Sequence, residues 1–328
     1  MINMRLSTTI KENKTIKYLL ISSFFVIFLS IFSLFTGAYD INNSNQGWYI
    51  FRISRISRTL AVMLTGASIS ICGLTMQILT RNKMVDSTTT GTVEWAGLGL
   101  MFSYIFISSP TIFERTFFSI IFSFIGTIIF FMLIKKIKIK SSLVVPIVGI
   151  MLGAVISSIS TFISLMFNAR QTISVWFSAS FSNIESGRYE ILWIVVFFTA
   201  ILFIFADKIT LAGLGEDISK SLGLNYEKII IIATILISLN IGIVSSVIGN
   251  IPFLGLIVPN ILSKIIGDNL KTNLPLVTLV GMSILLAADI LARTVISPFE
   301  IPVSLVMGIL GAFVFLIMII KKRLKNEK

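Results

Sequence analysis

Apolar residues in this chain gather into long blocks rather than alternating with polar ones. Ten such runs cover 17–37, 57–79, 92–109, 116–134, 142–166, 190–206, 229–249, 251–267, 276–294 and 302–320. About 20 mostly apolar residues cross the ~30 Å hydrocarbon layer as a helix, so the pattern predicts about ten transmembrane helices. The expected fold is all-α and polytopic, with residues 1–328 forming a single transmembrane domain. Two runs are interrupted. Glu94 and neighbouring glycines break 92–109, and Pro252, Pro259 and Asn260 punctuate 251–267. Freed backbone groups survive in a bilayer only where protein or a cavity satisfies them, so both segments are expected to be sheltered from lipid. Lys11, Lys14 and Lys17 before the first run resemble the start of a signal peptide. The run is long, however, and no clear small-x-small cleavage site follows, which favours an uncleaved span.

Composition agrees. The chain is 55% hydrophobic and 13% charged, with mean hydropathy +0.96, where an average soluble domain carries roughly 25% charged residues. A soluble enzyme is excluded, and the net charge of +12 fits loops at an anionic membrane surface better than a nucleic-acid footprint. There is no histidine, which removes the commonest general base and metal ligand. The one cysteine, Cys72, permits no disulfide framework. No phosphate-binding G-x-x-x-x-G-K-[ST] loop is present, and no metal or cofactor site is expected.

Threading ten spans with the N-terminus in the cytoplasm places 20 of the 27 basic residues inside, every lysine among them. Both termini are then cytoplasmic, as the positive-inside rule favours. The seven residues left outside are all arginines: Arg52, Arg55, Arg58, Arg115, Arg170, Arg188 and Arg293. Arg52, Arg55 and Arg58, at spacing three, share one face if the second helix starts early. They form either a solvated cap on lipid phosphates or a docking site for carboxylates, which a guanidinium holds bidentately. Asp289 and Arg293 stand at i, i+4 and can pair, and Glu300 follows in a short turn between Pro298 and Pro302.

Gly149, Gly153, Ser157 and Thr161 recur every fourth position of one run. Such a stripe serves ordinary close helix packing or forms a narrow wall along a substrate path. Gly66, Ser70, Gly73 and Gln77 make a looser face of the same kind. The longest cytoplasmic loop, 207–228, contains Glu216–Leu222, which can form a short amphipathic helix with Ile218 and Leu222 on one side and Gly223 as its C-terminal cap. It can dock in a partner's groove or lie on the membrane. An ion-coupled secondary transporter needs intramembrane carboxylates as relays. Asp289 is almost the only deep candidate, and it has an arginine beside it.

Four ordered motifs then resemble one family. Arg55-Ile-Ser-Arg-Thr-Leu-Ala followed by Gly66, Gly73, Gln77 and Arg81-Asn82, the loop from Gly215-Glu216 to Leu222-Gly223, Pro252-Phe-Leu-Gly-Leu-Ile-Val-Pro259-Asn260, and Asp289…Arg293 with Glu300-Ile-Pro302 are similar to the FecCD permeases. These are membrane subunits of binding-protein-dependent ABC importers for iron–siderophores, haem and vitamin B12. The segment from Arg81 to Ala96 is similar to the subgroup importing catecholate, petrobactin-type siderophores. The resemblance implies the type II ABC importer permease fold, a Gram-positive cell membrane, a second permease subunit, cytoplasmic ATPase subunits, an extracellular substrate-binding lipoprotein and a ferric siderophore as cargo. Haem or vitamin B12 is the alternative cargo. It further implies that Arg55, Arg58 and Arg293 dock the binding protein. Gly215, Glu216, Asp217, Leu222 and Gly223 would meet the ATPase, and Gly149, Gly153, Ser157 and Thr161 would line the pathway.

Overall fold

The computed structural model describes residues 2–37, 47–136, 143–167, 176, 178–266 and 270–326. Arg170, counted among the outer arginines, and Lys138, Lys140 and Lys328, counted among the inner basic residues, lie outside them. The described residues form helices and connecting turns, with no strand among them. In chain order the helices are α1 (Ile2–Phe35), α2 (Gly47–Leu79), α3 (Thr92–Phe106), α4 (Ile112–Lys136), α5 (Val144–Met166) and α6 (Trp193–Ile204). There follow α7 (Ala206–Ala212), α8 (Glu216–Ser221), α9 (Tyr226–Val247), α10 (Leu254–Ile266), α11 (Leu270–Thr294) and α12 (Val303–Asn326).

Every one of the ten predicted runs falls on a helix, but fewer are long enough to cross alone. Among the described residues six helices pass by length and apolar composition, and a seventh results if α6 with its preceding turn and α7, bent by 60°, count as one span. The difference lies in the interrupted runs. At 1.5 Å per residue, the 13 residues of α10 reach only about 20 Å. The 15 residues of α3 are likewise too few. α3 and α10 are both covered by protein along most of their length, as the breaks in their sequence require.

The proline break shows how the cover works. Pro259 lacks an N–H, so the carbonyl of Gly255 one turn earlier loses its helical donor. Gln77 of α2 supplies one instead, its side-chain amide donating to that carbonyl at 3.3 Å. Helix starts are equally local. Thr111 and Glu114 cap α4 reciprocally: the Glu114 carboxylate accepts from the Thr111 N–H at 2.7 Å and the Thr111 hydroxyl accepts from the Glu114 N–H at 3.3 Å. Asn225 caps α9 by accepting from the Lys228 N–H at 3.0 Å.

Helix α2 is the axis of the molecule. It packs on α11, α10, α9, α6 and α7, and nearly all its side chains from Ser57 to Leu79 are buried. Small residues make this possible. A Cβ on Gly66 would sit 2.7 Å from the Gly281 carbonyl oxygen of α11, and one on Gly73 would collide with the backbone of Gly255 in α10. Without a hydrophobic force between helices in lipid, such backbone approach is what association depends on. α5 is the opposite case. It packs on α3 and, more lightly, α4, and leaves Met151, Val155, Ile159 and Phe162 exposed.

Gly73→Ala should therefore lower stability by about 1–3 kcal/mol, the usual cost of forcing a methyl group into a filled contact. Gly308→Ala, whose nearest neighbour is 3.8 Å away, should be neutral. Thermal midpoints in detergent check both.

Candidate functional site

The two ends of the molecule differ in charge chemistry. At one end α2 begins, α1 and α11 finish, and the arginines gather. The α2 helix does start early, at Gly47, but Phe51–Ile56 winds as a π-helix. A π turn takes more residues than an α turn, so spacing three no longer returns to one face. Arg52 is exposed, whereas Arg55 and Arg58 turn inward and are buried.

Arg58 donates to Asp289 Oδ1 from Nε at 3.1 Å and from Nη2 at 2.8 Å, and from Nη1 to both oxygens of Glu300 at 3.0 and 2.9 Å. Arg293 lies 2.8 Å from the other oxygen of Asp289. It also donates to the Ser33 hydroxyl at 2.7 Å and to the Thr36 carbonyl at 2.8 Å. Arg55 donates to the carbonyls of Leu34 and Phe35 at 3.1 and 3.2 Å. One wholly buried carboxylate thus joins two guanidiniums, and three helix ends are tied through them. The three arginines named from the sequence come together as one cluster, held by partners within the chain rather than standing free. The expected Asp289–Arg293 pair is present. The link from Arg58 to Glu300, 242 positions away, carries no local signal and was not read from the sequence.

At the other end Lys83, Lys135, Lys220 and Lys228 lie near the helix ends. Here α8 forms from Glu216 to Ser221, as the amphipathic pattern predicts. Gly223 (φ +79°) donates to the Lys220 carbonyl at 3.0 Å and Leu224 to the Ser219 carbonyl at 3.0 Å, the paired bonds of a Schellman cap. Lys220 donates to Glu216 at 2.7 Å, which holds the Glu216 carboxyl below its ordinary range. Asp217 sits in the first turn of α8. Ile218 and Leu222 are 49% and 57% exposed, leaving an apolar edge uncovered on a helix too short to stand alone.

α8 packs on α7 and α9, and the glycine turn that leads into it is braced against the end of α2. A Cβ on Gly215 (φ +112°) would meet the Arg81 guanidinium at 2.8 Å, and one on Gly213 would meet Ile78 at 2.5 Å. Beyond Arg81 the segment 82–91 turns back into the protein. The Asn260 amide donates to the Lys83 carbonyl at 2.7 Å and to the Leu256 carbonyl at 2.7 Å. The Asp86 carboxylate accepts from the Ser87 N–H, the Ser87 hydroxyl and the Thr88 hydroxyl. The segment ends against α5. Thr89 covers Gly149, and Gly91 (φ +79°) packs on Gly153, 3.2 Å from where its Cβ would lie to the Gly153 nitrogen.

The small stripe of α5 therefore divides. Gly149 and Gly153 are buried against 89–91 and the Glu94 carboxyl, Ser157 is half-buried, and Thr161 is exposed with its hydroxyl donating to the Ser157 carbonyl at 2.8 Å. Continuous packing runs from the turn before α8 through Ile78 and Arg81 to 82–91 and α5. No group of three or more histidine, cysteine or acidic side chains able to hold a metal ion occurs among the described residues.

A helical body with apolar spans, a buried ion cluster at one end and an uncovered short helix at the other defines a polytopic membrane protein. The FecCD transport family model matches residues 16–321, and the chain belongs to that family. It is 52% identical, over 94% of its length and 92% of the relative's, to the petrobactin import system permease protein FatD of Bacillus anthracis. It is 38% identical, over 91% and 96%, to the petrobactin import system permease protein YclN of Bacillus subtilis. Its fold matches a chain from an inward-facing metal-chelate type ABC transporter, with a TM-score of 0.79 at 23% identity over 94% of this chain and 99% of that one.

Removing one partner of a buried ion pair strands the other charge and costs about 3–5 kcal/mol. Asp289→Asn should therefore be among the most destabilising substitutions in the chain. Glu300→Gln, at a side chain 30% exposed, should cost about 1 kcal/mol or less. Chemical unfolding in mixed micelles reads the difference.

Proposed function

We propose that this chain is the permease subunit of a binding-protein-dependent ABC importer that carries a ferric siderophore of the petrobactin type across the cytoplasmic membrane. The observation that carries the substrate class is the 52% identity, over 94% of the chain, to a petrobactin import permease. Vitamin B12 is the weaker alternative: the vitamin B12 import permease BtuC of Klebsiella pneumoniae is 28% identical over 84% of the chain.

In this reading the lysine-bearing end and both termini face the cytoplasm, in keeping with the positive-inside rule. The uncovered edge of α8, Ile218 and Leu222, docks in a groove of a separate ATPase subunit. ATP-driven approach of the two ATPases moves α8. The Gly213–Gly215 turn that leads into it packs on Ile78 and Arg81 and passes the motion to the 82–91 segment and so to α5, whose exposed face meets a second permease subunit around the pathway. Ser157 and Thr161 are the open, mildly polar part of that wall, with Gly149 and Gly153 setting its distance from α3. The binding protein docks at the arginine end. Arg55, Arg58 and Arg293 act there chiefly by holding the docking face in shape, and an incoming carboxylate can reach Arg58 only by competing with Glu300.

Asp289, the deep carboxylate named from the sequence as a relay candidate for an ion-coupled carrier, already faces two guanidiniums at 2.8 Å.

Two experiments test this reading. Iron-loaded petrobactin uptake by cells should stop when the partner ATPase is made catalytically inactive. It should persist when the membrane potential is collapsed with ATP maintained, and the reverse pattern overturns the proposal. Leu222→Glu should lower uptake at least tenfold without reducing the amount of protein in the membrane, because a charge on the docking edge must be buried unpaired. Normal uptake by that variant refutes the α8 assignment.

A further inference from the structure

Two of the outward arginines take no part in the ion cluster. Arg115 and Arg188 line a cavity of about 510 Å³ between the C-terminal ends of α3 and α9, the start of α4 and the segment 178–188, a size typical of small-molecule sites. Tyr104, Trp176, Ser178 and Asn183 share the lining.

Arg115 is held but not neutralised. Its Nη1 donates to the Tyr104 hydroxyl oxygen at 3.0 Å, and the guanidinium lies 5.9 Å from the centre of that ring. Its Nε is withdrawn from water and has no hydrogen-bond acceptor among the described residues, a condition native structures rarely leave unexplained. The neighbouring Glu114 is committed to the Thr111 cap at 2.7 and 2.8 Å. Glu185 lies 3.5 Å from Arg188 Nε, with both side chains more than half exposed, and Glu190 is committed to the Gly187 N–H at 2.7 Å. Among the described residues, the lining of the cavity thus holds two guanidiniums and no carboxylate. It also presents two aromatic rings, and the Trp176 ring is fixed by its Nε1 donating to the Ser245 carbonyl at 2.8 Å.

We propose that this cavity is a binding site for an oxyanion carried on an aromatic ring, a carboxylate or phenolate, with the Arg115 guanidinium as its charge partner and Arg188 as the second. A guanidinium recognises such a group through charge-assisted hydrogen bonds as well as charge. The apolar and aromatic lining takes the ring. The source of the oxyanion is one arm of the iron chelate, which rests on the importer reading above; the phosphate of a lipid headgroup is the competing occupant that the test separates. The ring-bearing lining favours the former.

The test uses the permease–ATPase complex in phosphatidylcholine nanodiscs, with 2,3-dihydroxybenzoate as the probe and saturation-transfer NMR as the readout. The probe should bind saturably, and neutral benzyl alcohol should not. Arg115→Gln should weaken binding about tenfold, as expected for loss of one charge-assisted contact. Arg188→Gln should weaken it less, and Arg115→Lys should keep part of it. Arg52→Gln, an exposed arginine outside the cavity, should change nothing. Inorganic phosphate should compete weakly. Abolition of probe binding in phosphatidylglycerol nanodiscs would instead assign the site to lipid and overturn the chelate source. Absence of saturable binding, or equal binding by Arg115→Gln at an unchanged thermal midpoint, overturns the site. If Arg115→Gln does not fold, unchanged binding by both Arg115→Lys and Arg188→Gln overturns it as well. Fragment binding requires no transport, so failure of the importer reading and failure of this site are separable.

Discussion

Asp289 is the constraint on which the arginine end depends. It is wholly buried on a membrane helix and lies 2.8 Å from both Arg58 and Arg293. A charge at that depth is expensive unless paired, so neither helix can move alone without stranding one. Glu300 extends the cluster to the turn before α12, and the backbone carbonyls of α1 that Arg55 and Arg293 hold extend it to the first span. Four stretches of chain far apart in sequence therefore move as one piece at this end. A face that receives a soluble partner gains from such rigidity, because little ordering remains to be done on binding.

The lysine end is built on the opposite plan. Its contacts are small residues fitted against backbone, with few ion pairs among the described residues. Gly213 and Gly215 seat the turn before α8 on the end of α2, and Gly149 and Gly153 seat the 82–91 segment on α5. Close backbone contact transmits displacement without a flexible side chain to absorb it, since packed interiors are stiff. One end of the molecule is thus a fixed platform and the other a train of tightly fitted parts, the arrangement expected when force enters at one side and cargo at the other.

Much of this was legible in the chain. The ten apolar runs located every long helix, because the hydrophobic requirement of a span is local and strong. The breaks at Pro252, Pro259 and Glu94 correctly marked segments that need cover. The α8 helix and its Gly223 cap were readable because capping is written in consecutive residues. What could not be read is what depends on pairing at long range. The sequence showed Gln77 and Pro259 separately, but not that one repairs the backbone gap left by the other. It showed charged residues at 58 and 300, but not their contact. It suggested that Arg52, Arg55 and Arg58 share a face, and the π-helical turn between Phe51 and Ile56 separates them. The small stripe on α5 was visible, yet only the fold shows that its first two members face the protein's own 89–91 segment.

The central claim is that the arginine cluster and α8 lie on opposite sides of the membrane, one to receive cargo and the other to receive force. The one cysteine, Cys72, is buried, so single introduced cysteines can be read against a quiet background with a membrane-impermeant maleimide on intact cells. The account predicts that Phe299→Cys is labelled directly and that Leu222→Cys is labelled only after the cells are permeabilised. Labelling of both from the same side would contradict it.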